Sequence, residues 1–158
     1  MNQKSRILTL LLSSLMVSSA WAQNVSVQSA WARATVQGQK ATGAFMTLTA
    51  KTATTLVGVS TSVAGVAEVH EMKMDNNVMQ MRALPDGLPL PAGKAVALQP
   101  GGYHVMLMDL KLPLQKDTTI PLTLRFKDAK GVESNLDIRV PVSQVAPAVG
   151  KEHLHEGH

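Results

Sequence analysis

The sequence has 158 residues, a length that suits one domain and allows a proper core without covalent staples. It contains no cysteine, which excludes disulfides, thiolate nucleophiles and cysteinate metal centres, blue copper among them. The formal charge of +4 comes from dispersed residues and gives no basic run of the kind that nucleic acid selects, so no nucleic-acid partner is expected.

The first 22 residues, MNQKSRILTLLLSSLMVSSAWA, combine a basic start (Lys4, Arg6), an apolar run from Ile7 and a small-x-small ending at Ala20-Trp21-Ala22. That is the pattern of a secretory signal peptide cleaved after Ala22. The apolar run is short and serine-rich for a membrane span, and no cysteine follows it to carry a lipid. The expectation is an exported chain beginning at Gln23, periplasmic in a Gram-negative cell, monomeric and without a membrane anchor. Loss of Lys4 and Arg6 leaves it a net charge of only +2.

From Gln23 onward the segments read as strands. VSVQSAWARAT (25–35), GAFMTLTA (43–50) and TTLVGVSTSV (54–63) alternate apolar and polar residues. VAEVHEMKM (66–74) and VMQMRAL flank Asn76-Asn77, a turn pair, and predict a hairpin. PDGLPLPAGK (85–94) reads as a Pro/Gly-rich loop, and AVALQPGGYHVMLMDL as a strand, a Pro100-Gly101-Gly102 turn and a second strand. TIPLTLRFKD and SNLDIRVPV form a last hairpin around Ala129-Lys130-Gly131. No window keeps a long helical period. Many short strands at this spacing predict an all-β sandwich or barrel over residues 23–142. Residues 143–158, SQVAPAVGKEHLHEGH, hold too few apolar side chains to pack and read as a flexible tail.

The chemistry sits where His and Met alternate. On a strand, His104, Met106 and Met108 share one face, while Val105 and Leu107 belong to the other. The same rule aligns His70, Met72 and Met74, and Met79 with Met81. Six of the nine methionines fall within residues 72–108, together with both histidines that precede the tail. A methionine stripe is more often core than site. Here, however, the other strands fill their core with Val, Ile and Leu, and His-x-Met-x-Met occurs twice. A thioether is soft and neutral and prefers Cu(I), and imidazole accepts Cu(I) or Cu(II). A His/Met set without thiolate therefore suits a weakly held, transferable Cu(I). A zinc site would want a closed set of Cys, His or carboxylate ligands, and no such spacing occurs.

At these residues the chain resembles the periplasmic copper chaperones of the PCu(A)C type. The family pattern is roughly His-x10-Met, about twenty residues, then His-x-Met. His70 and Met81 have ten residues between them, and His104-Val105-Met106 follows after 22 more. The resemblance extends through WARAT (31–35), GAFMTLTA, VAEVHEMKM, LPLPAGK and PGGYHVMLMDLK, with Phe45 and Ala50 standing where Tyr and Asn are expected. It implies a cupredoxin-like Greek-key β-sandwich. It also implies one Cu(I) held by His70, Met81, His104 and Met106, and delivery to the copper centre of cytochrome c oxidase. The acceptor would be oxidase subunit II or another copper chaperone. Alternation alone leaves open whether Met72, Met74, Met79 or Met108 joins the set.

The tail offers His153, His155 and His158, a nitrogen-rich group that suits Cu(II) better than Cu(I). Nothing points to catalysis: there is no Ser/His/Asp signature and no phosphate-binding glycine loop, and the expected N-terminal residue Gln23 cannot form a histidine brace. Two other functions fit the same residues less fully, a copper buffer without a dedicated acceptor and a plain β-sandwich interaction module whose methionines are core.

Overall fold

The computed structural model describes residues 23–148. The expected signal peptide and the tail histidines His153, His155 and His158 lie outside the described residues. Ten strands follow one another: β1 (Val25–Arg33), β2 (Ala41–Ala50), β3 (Thr54–Ser60), β4 (Ala64–Asp75), β5 (Val78–Ala83), β6 (Leu88–Leu90), β7 (Ala95–Leu98), β8 (Tyr103–Leu110), β9 (Thr119–Asp128) and β10 (Glu133–Ser143). No helix forms among the described residues.

Strand formation follows the alternation. In β9, Ile120, Leu122, Leu124 and Phe126 are buried while their neighbours are not. Each such side chain contributes about 1.5–3 kcal/mol when it leaves water. Against β9 lies β10, in a register that sets Leu124 opposite Leu136 and Ile120 opposite Val140. The neighbour order along the sheet is β5-β4-β8-β7-β2-β1-β10-β9-β3-β6. One parallel junction, Ala32 with Val142 and Arg33 with Ser143, joins the first six strands to the last four. Both groups bury their apolar faces in one core, with Met46, Leu48, Val105 and Leu107 from the first and Leu56, Leu122, Leu124 and Val140 from the second. The architecture is the all-β sandwich that the strand pattern predicts.

Several local features go beyond that pattern. PDGLPLPAGK is not wholly a loop, because β6 pairs with β3 there. Leu88 and Leu90 reach the core, and Pro89, which lacks an N–H, is tolerated because β6 is an edge strand. The segments on either side of Pro100 do not fold back on each other. β7 and β8 both run antiparallel to β2 along one edge, and a jog at 99–102 separates them, closed by Gly102 N–H donating to Gln99 O at 3.0 Å. Asp109 takes a positive φ of 54°, which breaks the alternation and turns Leu110 into the core.

Gly87 is held by the close approach of β3. Its φ is +84°, and a Cβ there would lie 2.5 Å from the carbonyl oxygen of Leu56. Gly87→Ala is therefore expected to lower stability by about 1–3 kcal/mol. Urea unfolding measures this as a lower midpoint at an unchanged slope.

Candidate metal centre

The site is built by strand register. β4 and β8 are antiparallel neighbours with His70 opposite His104, Val69 opposite Val105 and Glu68 opposite Met106. Residues directly opposite each other share a face. Val69 and Val105 therefore point into the core, and the two histidines and Met106 stand on the other face of the sheet. The two imidazole rings are 5.8 Å apart, centroid to centroid, and edge to face.

The β4–β5 hairpin extends this face. Asn76 and Asn77 both have positive φ, 47° and 64°, which is the backbone of a two-residue type I′ turn. The turn fixes the register, with Met74 opposite Met79 and Met72 opposite Met81. Met81 thereby stands beside Met72, on the face that carries His104 and Met106. A hollow of about 220 Å³ opens there, lined by Met72 and Met81 from the hairpin, His104 and Met106 from β8, Gly43 and Phe45 from β2, and Pro100-Gly101 from the jog.

Three of the four residues implied by the resemblance, Met81, His104 and Met106, line this hollow together, and His70 lies beside it against His104. Met72 joins them. Alternation placed it on the right face, but only the offset between β4 and β5 sets it opposite Met81. Met108 stays apart, paired with Val66 further along β8, and Met74 and Met79 sit at the exposed hairpin tip. A groove of about 460 Å³ along Ser62-Val63 and Lys111–Gln115 is lined by no His or Met.

The floor of the site is aromatic. Phe45 lies over Gly43, where a Cβ would stand 2.7 Å from the end of the ring. Trp31 packs on Phe45 with ring centroids 4.7 Å apart, and the Arg33 guanidinium caps both rings at 5.9 and 5.7 Å. Phe45 in turn lies 6.4 Å from His104. Sequence reading did not single out this floor. Its one signal was that Trp31 and Phe45 are two of only five aromatic residues in the chain.

The imidazole nitrogens are sorted by their neighbours. His104 Nδ1 lies 3.1 Å from the Gly102 carbonyl, to which only a protonated Nδ1 can donate. The neutral ring then carries its lone pair on Nε2. His70 Nε2 lies 2.9 Å from a carboxylate oxygen of Glu68, which holds the proton at that nitrogen. Its Nδ1 is buried and has no hydrogen-bond partner among the described residues. A buried, unsatisfied polar atom costs about 1–3 kcal/mol. Each ring is thus oriented by a hydrogen bond at one nitrogen and leaves a lone pair at the other, the arrangement that metal-binding histidines adopt. Burial pushes the His104 pKa below its ordinary value of 6.5. The hydrogen bond to Gly102 acts in the opposite sense, and the adjacent His70 adds to the lowering. Among the described residues no three His, Asp or Glu side chains come together.

The family model LpqE-like ("Putative lipoprotein LpqE-like") matches residues 25–142. The protein named "Putative lipoprotein Lxx21020", from Leifsonia xyli subsp. xyli, is 35% identical over 127 residues, 80% of this chain and 74% of that one. Among solved structures, copper(I)-loaded DR1885 of Deinococcus radiodurans is 32% identical, with a TM-score of 0.59 over 80% of this chain and 83% of that one. Its apo form is matched at 29% identity and a TM-score of 0.58 over 92% of this chain and 97% of that one. The copper-bound PCuAC domain from PmoF2, 24% identical, shares the fold with a TM-score of 0.57 over 79% of this chain and 95% of that one. This chain belongs to the LpqE-like family and has the cupredoxin-like β fold of the PCuAC domains.

Proposed function

We propose that the protein is a periplasmic copper metallochaperone. It holds one Cu(I) through His70, Met81, His104 and Met106 and passes it to the copper centre of cytochrome c oxidase. One observation carries the metal reading: the His70 Nδ1 is buried without a partner, beside a second histidine with a free lone pair and thioethers from two further positions. A packing surface gains nothing from that atom, whereas a metal ion would satisfy it. Sulfur and neutral nitrogen favour Cu(I) over hard cations. The likeness to copper(I)-loaded DR1885 supports the cargo. The hollow is shallow and open, and none of its ligand types is a thiolate, so exchange with an acceptor is not blocked by a strong metal–sulfur bond. The oxidase as acceptor rests on the resemblance to the PCu(A)C chaperones. Incubating the Cu(I)-loaded protein with an apo subunit II fragment, and following copper on each after separation, tests delivery directly. Retention of the copper on this protein would leave a buffer.

Met106→Leu keeps the volume of a half-buried side chain and removes a sulfur. Anaerobic Cu(I) competition against a chelator should show at least about a tenfold weaker complex, the equivalent of about 1.4 kcal/mol. The thermal midpoint of the apo-protein should hardly move. Unchanged affinity would remove Met106 from the ligand set.

The lowered pKa of His104 sets the direction of the pH response. Protons compete with Cu(I) for the imidazole lone pairs and not for the thioethers. At His104 that competition begins only below pH 6.5, so its share of the affinity persists down to that pH and declines beneath it. The apo fold responds in the same direction. Because the folded state disfavours the protonated ring, stability from this group is full above pH 6.5 and is lost as pH falls through its folded pKa. Melting curves of the apo-protein between pH 7.5 and 5 should show this loss, and His104→Gln should reduce it.

For the tail the proposal is a separate Cu(II) site at His153, His155 and His158. Truncation after Val149 should abolish tight, nitrogen-rich Cu(II) binding by electron paramagnetic resonance and leave the Cu(I) affinity intact. Equal Cu(II) affinity in the truncated chain would make the tail a solvated end.

A further inference from the structure

The β4–β5 hairpin carries more sulfur than the proposed centre uses. Met74 and Met79 are directly opposite each other one step beyond the Met72–Met81 pair. Both are well exposed, at 58% and 44%, so neither fills the core. Their closeness follows from the turn. In a two-residue hairpin the pair flanking the turn, Asp75 and Val78, exchanges hydrogen bonds, and the pairs then alternate. Met74–Met79 and Met72–Met81 both fall on non-hydrogen-bonded positions, where side chains approach most closely. The backbone agrees: Met72 N–H donates away from β5, to Gly102 O at 3.1 Å. The charged and amide side chains of the ribbon, Lys73 with Gln80 and Glu71 with Arg82, are paired on the opposite face. At the hairpin tip the methionine face therefore presents two opposed thioethers, Met74 and Met79, and no carboxylate.

We propose that Met74 and Met79 form a second cation site, made of thioether alone and selective for soft d¹⁰ ions such as Cu(I) and Ag(I). Two opposed sulfurs suit the low coordination numbers that such ions accept, and they offer nothing to Zn²⁺ or Mg²⁺. Along a strand, successive residues of one face are about 6.8 Å apart. An ion at the tip is thus one such step from Met72–Met81, the wall of the inner hollow. The role of the tip as a landing point for copper bound inward, or leaving, rests on the metallochaperone reading. Its capacity to bind does not.

Ag(I) titration of the full chain labelled with ¹³C-methyl methionine separates the two. The expected result is two equivalents, the first moving the Met81 and Met106 methyl signals and the second moving those of Met74 and Met79. In Met74→Leu/Met79→Leu, a change of exposed side chains that keeps their bulk, the second equivalent should be lost and the first retained. If the double variant is perturbed in fold, the methyl shifts of the unaltered chain decide alone. Movement of Met74 and Met79 without Met81 and Met106 would support the tip site and overturn the inner one. The tip site is overturned if its two methyls stay still in excess Ag(I), or if the second equivalent survives in the double variant.

Discussion

The pairing of His70 with His104 across β4 and β8 is the constraint on which the rest depends. Side chains alternate with a period of two, so a one-residue slip of either strand would send its histidine into the core and its valine, Val69 or Val105, out to solvent. The core resists that slip strongly, because Val105 and Leu107 are fully buried on the inner face. Hydrophobic burial on one side of the sheet therefore sets the position of the two histidines on the other. The hairpin turn sets the remaining offset, which brings Met81 level with Met72.

The outer face is not simply a solvated surface. Trp31 and Phe45 are each only 5% exposed although they face away from the core. They form a small apolar layer of their own and remove water from one side of His104. That desolvation keeps the ring neutral and so keeps its lone pair available. Gly43 makes the layer possible, since any side chain there would displace the Phe45 ring.

Much of this was legible in the sequence, for identifiable reasons. The Asn76-Asn77 hairpin is encoded locally, and His-x-Met-x-Met on a strand gives the shared face directly. What could not be read depends on non-local pairing or on broken alternation. The parallel junction of β1 with β10 joins residues more than a hundred positions apart. A positive φ at Ser29 and an irregular register between Gln28 and Trp31 shift the parity of β1, so alternation from Val25 does not reach Trp31 correctly. The strand β6 is hidden among prolines that suggest a loop. Glu68 stands two residues before His70, on the same face, so period two alone placed it there. Its hydrogen bond to the ring needed side-chain geometry.

Among the described residues the sheet ends at β5, which pairs with β4 alone and has no buried residue along its length. Opening such a strand disturbs one ladder and almost no packing, so it lies at the low end of the molecule's range of local unfolding energies. Met81, on this strand, can therefore be withdrawn by fraying of the margin while β2, β4 and β8 stay folded. The core then contributes little to the barrier for losing that sulfur. The proposed ligand set, divided between a rigid sheet and its border strand, could be dismantled one donor at a time, and β5 is where that dismantling costs least.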